Sequence, residues 1–373
     1  MPKRDEHIKE YKNKKGERAF KFHLYLGMDE NGKRVNITRQ GFKTYNDAKI
    51  TYDQLRANGT TGYQKPKIIK TDEIYALWFD NYKGQVKQST ANKTNQTYNN
   101  HLKPTFGDKY LDKIQVKTIQ KFADTKSKEI VKYKEVVRIL NRLFEYAIRL
   151  GYVKNNPTKR IIMPKKTTRP RRDIKHNAYT REELEEFLTA AKEYATTPYT
   201  YFKLLSSTGL RRSEALALTW KDIDLDNMTL SVNKTLAYGL DNKIIMQPPK
   251  SKKSKRTLPI SQNLAEALID YHKKQKIIYK VVFHEQNGNY YNLTAPGNWL
   301  LKIYKANPQL RRITVYGFRH TFATLFISET DVKPKTVQML LGHENIKMTM
   351  DIYTHITKKN EDDAIDSIRK LNI

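Results

Sequence analysis

Cysteine is absent from this 373-residue chain. Disulfides and thiolate metal sites are therefore excluded as sources of stability or chemistry. No apolar run approaches the ~20 residues that a membrane-spanning helix requires. The opening stretch MPKRDEHIKEYKNKKGERAF carries no apolar core of the kind a secretory signal has. Together these absences predict a cytoplasmic protein. Acidic residues are scarce: 39 Asp and Glu stand against 70 Lys and Arg, giving a formal net charge of +31 and a pI near 9.8. An enzyme of small molecules has no need of such a surplus. Spread along the whole chain, it points to a polyanion partner, most simply nucleic acid; a basic surface kept for solubility is the plainer alternative. Hydrophobic residues make up 38% of the chain, enough for a globular protein of two or three domains at this length.

The first 65 residues read as a small unit. Phe20, Phe22, Leu24 and Leu26 alternate with Lys21, His23 and Tyr25, the period of a half-buried strand. Asp29-Glu30-Asn31-Gly32 is a hairpin signal, and RVNITR (34–39) is the returning strand. Thr44 to Asp47 then opens a helix carrying Ala48, Tyr52 and Leu55. A sheet of a few strands backed by one helix, with Lys21, Lys33, Arg34, Arg39 and Lys43 on it, is suited to reading DNA with its strands. A basic but inert hairpin domain is the alternative. Residues 58–70 hold Gly59, Gly62 and Pro66 and read as a linker.

From Thr71 the pattern turns helical. Ile74, Leu77, Trp78 and Tyr82 fit one helix; residues 94–102, 119–126 and 131–150 fit three more. The last is the clearest, with Val136, Ile139, Leu140, Leu143, Phe144, Ala147 and Ile148 in a wide apolar stripe that Gly151 ends. From Asn155 to His176 the apolar pattern stops. Pro157, Pro164 and Pro170 keep the segment extended, and Lys165, Lys166, Arg169, Arg171, Arg172 and Lys175 face only Asp173. It reads as a basic interdomain linker lying along phosphates.

Thr180 with Glu183 three residues on forms a capping box, the start of a third, mainly helical domain with a β-insert near residues 230–260. Four short stretches in it carry the chemistry. In STGLRRSEALALTWKDID (207–224), Gly209 makes a turn, and Arg211 opens a helix whose core face is Ala215, Leu216 and Leu218. Glu214, one turn on, steers the arginine, which is placed to bind a phosphate oxygen. Asp222, Asp224 and Asp226 invite a calcium loop, but that loop needs glycine sixth and glutamate twelfth; Asn227 and Asn233 stand there. The turn PPKSKKSKR is densely basic at Lys250, Lys252, Lys253 and Lys255. Such a turn either delivers one ammonium to a phosphodiester as general acid or makes only nonspecific phosphate contacts. In TVYGFRHTFATLFI (314–327) Arg319 and His320 begin a helix with core positions Phe322, Ala323, Phe326 and Ile327. Finally, KTVQMLLGHENIKMTMDIYTHI (335–356) reads as a helix through Val337, Leu340 and Leu341. Gly342 is its C-cap, His343 follows at once, and a second short helix carries Tyr353. A tyrosine hydroxyl is a nucleophile only with help, given its reference pKa of about 10.

Arg211 in TGLRRSE, the basic β-turn, Arg319 in YGFRHTFAT, His343 in LGH and Tyr353 in YTHI resemble, in order and spacing, the motif set of the tyrosine recombinases. The resemblance covers about residues 178–373. The helical region is similar to the family's core-site DNA-binding domain, and the first unit to the arm-site-binding domain of phage and conjugative-transposon integrases. The implied layout is multidomain and mainly α with small β elements: an arm-site domain over 1–65, a helical-bundle core-site domain over 66–165 and a catalytic domain over 166–373.

The resemblance implies that Tyr353 attacks a DNA phosphodiester, leaving a 3′-phosphotyrosyl link and a free 5′-hydroxyl. Arg211 and Arg319 would hold the nonbridging oxygens, His343 would hydrogen-bond the phosphate, and Lys252 would protonate the leaving oxygen. Lys252 lies seven residues before Pro259, in the family's place; Lys250 is the other candidate. Neither ATP nor a metal or other cofactor is implied. Implied partners are double-stranded DNA at core and arm sites, three further copies in a homotetramer, an excisionase and a DNA-bending host factor, with no membrane. The setting is the bacterial nucleoid. The C-terminal tail (358–373), with Ala364, Ile365 and Ile368 at helical spacing, is expected to dock on a neighbouring subunit or on its own domain. One position departs from the family: Tyr316 stands where a histidine is usual, and it is expected still to contact the phosphate. A type IB topoisomerase-like nicking enzyme and a catalytically silent DNA-binding protein are the rival readings.

Overall fold

The computed structural model describes residues 5–13, 16–28, 33–58, 68–165, 177–249, 254–342, 345–347 and 349–350. It divides into two compact units, Met1–Trp78 with Tyr98–Pro164, and Phe79–Thr97 with Lys165–Ile373.

In the first unit, β1 (Ile8–Lys12), β2 (Arg18–Met28) and β3 (Arg34–Phe42) form an antiparallel sheet in that order. Ile8 pairs Phe22, and Leu24 pairs Ile37. These side chains, with Phe20 and Leu26, are buried against Ala48 and Tyr52 of α1 (Tyr45–Asn58). The alternation thus puts one face on the helix and leaves His23, Tyr25, Asn36 and Thr38 exposed. β1 was not anticipated, because IKEYK buries only Ile8; an edge strand with one inward residue shows no periodic signal.

The helical part contains α2 (Thr71–Gln85), α3 (Gln88–Thr97), a π turn (Tyr98–Leu102), α4 (Lys103–Phe106), α5 (Val116–Glu129) and α6 (Tyr133–Arg149). Two expectations need correction. Leu77 is 46% exposed, whereas Tyr75 is buried and stacks on Tyr98 at 3.5 Å between ring centroids; an aromatic partner outcompetes the aliphatic neighbour for the inner face. The second helix begins at Gln88, not Thr94, in a stretch so polar that periodicity could not mark it. α6 buries the expected stripe except Ile148, which is only partly covered, and adds Tyr133 and Val137. Each full burial there contributes roughly 1.5–3 kcal/mol. The segment after it is less extended than expected. Pro157–Arg160 form a 3-10 turn, because the Asn156 side chain accepts from the Thr158 amide at 3.0 Å while donating to Glu145 at 2.7 Å.

The second unit packs α7 (Arg181–Tyr194), α8 (Thr196–Thr208), α10 (Gln262–Lys273), α11 (Ala295–Ala306) and α12 (Gly317–Glu329) around one core that holds Phe187, Phe202, Leu216, Phe283 and Phe318. The Thr180–Glu183 capping box is formed. Between α8 and α10 lie the single turn α9 (Arg212–Ala215) and the strands of the insert. β4 (Ile223–Asp224), β5 (Thr229–Val232) and β8 (Arg256–Pro259) make one sheet; β6 (Thr235–Tyr238) and β7 (Ile244–Gln247) make a hairpin. α3 docks on that hairpin: Asn92 and Gln96 donate to Asn242 at 3.0 and 2.7 Å, and Ser89 to Gln247 at 3.1 Å. α13 (Pro334–Leu341) packs on α12 through Val337 and Leu341 against Ala323 and Ile327, with Phe322 and Phe326 beside them. α12 thus serves two cores: Phe318 faces the main one, and the four residues expected from sequence face α13. Among the described residues no helix is long and apolar enough to cross a membrane.

Candidate active site

Arg211 is positioned by a glycine. α8 ends at Gly209, whose φ of +64° places it in the left-handed region. A Cβ there would lie 2.6 Å from both Leu341 Cδ2 and Phe322 Cδ1, so the close approach also requires glycine. The chain leaves in extended form, and Arg211 becomes the N-cap of α9, one turn rather than the longer helix expected. Glu214 backs it: Oε1 accepts from Arg211 Nη1 at 2.7 Å and Oε2 from the Arg211 amide at 3.0 Å. Glu214 is buried, while a third of the Arg211 side chain is exposed.

Arg319 comes from the first turn of α12 and is 2% exposed. Its Nη1 donates to the Gly209 carbonyl at 2.7 Å and its Nη2 to the Leu341 carbonyl at 2.6 Å. Its buried Nε has no acceptor among the described residues. Burial, and then the neighbouring Arg211, lower its pKa to about 10. It remains a cation at neutral pH, held in a site where charge interactions are poorly screened.

Both arginines meet at the C-terminus of α13. A helix end presents unpaired carbonyls and a partial negative charge. Here three consecutive carbonyls accept from three different guanidiniums: Leu340 from Arg256 Nε at 2.6 Å, Leu341 from Arg319, and Gly342 from Arg211 Nη2 at 2.7 Å. Gly342, at φ +64°, is the left-handed cap, and a Cβ on it would sit 3.1 Å from Arg256 Nη1. The sequence reading passed over Arg256. Its signal was the strand period, since it shares a face with buried Leu258 and Ile260, and an inward arginine requires a carboxylate. That carboxylate is Glu214, whose Oε2 accepts from Arg256 Nη2 at 3.0 Å. Burial pushes the Glu214 carboxyl up, but Arg256 and Arg211 outweigh it and hold it below its usual range.

Tyr316 caps α12 with 39% of its surface exposed. Its ring meets His320 edge-on, 4.7 Å between centroids. Burial, followed by Arg319, lowers the His320 pKa to about 4, so this imidazole is neutral at working pH and does not supply the missing histidine's charge. Tyr353, His343, Lys250, Lys252, Lys253, Lys166, Arg169, Arg171, Arg172 and the C-terminal tail lie outside the described residues. The carbonyls of Pro248 and Pro249, just before the basic turn, accept from Lys87 Nζ of α3 at 3.3 and 3.1 Å. In the N-terminal sheet, the Lys21 ammonium lies 5.1 Å from the Tyr11 ring centroid. Arg34 is exposed and shares the strand period of Asn36 and Thr38; Arg39 is exposed but shares that of Ile37, so the period does not set it beside Arg34. Lys165 is exposed.

A helical unit that gathers guanidiniums from distant segments around one helix end concentrates positive charge at one place, in a chain with thirty-one surplus positive charges. Comparison with known proteins makes this specific. Residues 177–360 match the phage integrase family, and residues 72–127 match the N-terminal SAM-like domain of phage integrases. The chain belongs to the phage integrase family of tyrosine recombinases. It is 28% identical over 392 aligned residues to the tyrosine recombinase XerC-like protein of Caldanaerobacter subterraneus subsp. tengcongensis, covering 96% of this chain and 98% of the relative. Its fold is similar to that of the Tn1549 transposon integrase in complex with circular intermediate DNA, with a TM-score of 0.63 at 23% identity, covering 80% of this chain and all of the other. It is also similar to a lambda integrase tetramer bound to a Holliday junction, with a TM-score of 0.58 at 16% identity, covering 90% and 95%.

Proposed function

We propose that this chain integrates and excises a mobile element or prophage by cutting and rejoining DNA at specific sites. Tyr353 Oη attacks the phosphorus as its proton passes to solvent, the P–O5′ bond breaks, and the leaving O5′ takes a proton from Lys252. The product is a 3′-phosphotyrosyl link that keeps the bond energy, so rejoining requires no ATP. Arg211 and Arg319 bind the nonbridging oxygens and stabilise charge that grows in the transition state, a contribution of about 10²–10³ in rate for one such donor. His343 and Tyr316 hydrogen-bond the same phosphate. The observation that carries this reading is the convergence of Arg211 and Arg319 on consecutive carbonyls of one helix end, the end from which the chain leads directly to His343.

Three domains divide the work: residues 1–65 bind arm sites, 66–165 bind the core site, and 166–373 carry catalysis. The exposed sheet face, with Lys21 and Arg34, enters a groove of the arm DNA, and Arg39 contacts its backbone. Lys165, Lys166, Arg169, Arg171 and Arg172 follow phosphates between domains, and Lys250 and Lys253 flank the scissile phosphate. Pairing two sites requires four copies, and an excisionase and a DNA-bending host factor set direction. The enzyme works in the bacterial cytoplasm, on the nucleoid.

The test is covalent capture. Full-length protein on a nicked duplex that spans the junction between element and neighbouring DNA should give an adduct on a denaturing gel, and Tyr353→Phe should give none. An adduct that persists in Tyr353→Phe refutes the reading. A two-plasmid assay then separates a recombinase, which yields joined plasmids, from a topoisomerase-like nicking enzyme, which does not.

A further inference from the structure

Arg256 is buried beside the more exposed Arg211. Its side chain is 6% exposed and Glu214's is 3%, whereas Arg211's is 34%. One carboxylate is therefore shared by a buried guanidinium and one that is a third exposed, at 3.0 and 2.7 Å. If Glu214 faced Arg211 alone, the pair would be electrically neutral and would present little field to an incoming phosphate. With Arg256 bound to its other oxygen, the trio keeps one positive charge, and the exposed member displays it. The remaining nitrogens of Arg256 donate to the Leu340 and Ser254 carbonyls, so the guanidinium has no freedom to leave the carboxylate.

We propose that Arg256 is a positioning residue that neutralises Glu214 from the protein interior and so frees the charge of Arg211 for the DNA phosphate. The inference rests on the recombinase reading. It differs from a purely structural role, in which Arg256 would matter only for holding the end of α13. Charge neutralisation predicts that Arg256 loses its importance once Glu214 is uncharged; a structural grip on Leu340 predicts that its loss costs the same whatever stands at 214.

The experiment measures the single-turnover rate of adduct formation on the nicked junction duplex for wild type, Arg256→Met, Glu214→Gln and Glu214→Gln/Arg256→Met. Melting curves and gel shifts check folding and DNA binding. Arg256→Met is expected to be slowed by about 10²-fold, the loss typical of a transition-state charge donor. The double variant is expected to run at least tenfold faster than Arg256→Met and within about threefold of Glu214→Gln. Arg256→Met leaves a buried carboxylate short of a partner and is the variant most at risk of unfolding; the double variant has no such charge, so its comparison with Glu214→Gln decides the matter alone. A double variant as far below Glu214→Gln as Arg256→Met is below wild type overturns the proposal, as does an unimpaired Arg256→Met. Failure of the recombinase reading would show separately, as wild-type protein that forms no adduct.

Discussion

Gly209→Ala tests the link between backbone conformation and the site. Gly209 sits at φ +64°, where an L-residue costs about 1–2 kcal/mol. Its new methyl would lie 2.6 Å from Leu341 and from Phe322. Leu341 is fully buried and has nowhere to retreat, so overpacking adds about 1–3 kcal/mol. The total is about 2–5 kcal/mol. In a unit of this size each kcal/mol lowers the midpoint by roughly 2–4 °C, so thermal unfolding should move down by about 4–20 °C. Adduct formation should fall as well, because the Gly209 carbonyl holds Arg319. Gly84→Ala is the control. It lies in α2, and nothing among the described residues stands within 4 Å of the added methyl, so it should be neutral or stabilising by up to about 1 kcal/mol. If Gly209→Ala melts together with the wild type, the account of the turn is refuted.

Tyr316→His restores the residue usual in the family; adduct formation on the nicked duplex should rise or stay level, and a collapse would show that the tyrosine has a role not accounted for here. His320 titrates near 4 when folded, against 6.5 for the free group. The unfolded chain therefore binds the extra proton between these values, and stability present in full above pH 6.5 is lost as pH falls toward 4. The loss is at most about 3 kcal/mol. Denaturant titrations at pH 7 and pH 5 should show that His320→Gln removes most of this dependence, and an unchanged slope would refute the assignment.

The sequence carried what is local. β2, β3 and α1 were legible because their apolar residues recur at one period. The Thr180 cap, Gly209 and Gly342 were legible because turn and cap chemistry allows few residues. Where local signal was weak, the reading failed: β1 buries one side chain, α3 is almost wholly polar, and Leu77 and Tyr75 compete for a single inner face. Arg211 and Arg319 stood out by order and spacing, but the helix end on which they meet could not be foreseen.

By itself, then, the chain of residues determined the strongly periodic elements and the family, since periodicity and motif spacing are written in short stretches. Tertiary structure decided that Arg211, Arg256 and Arg319 each take one of three successive carbonyls at the end of α13. It also decided that two of them share Glu214. Those segments lie far apart along the chain, and what brings them together is the burial of α12 between two apolar clusters, a packing outcome that no local pattern encodes.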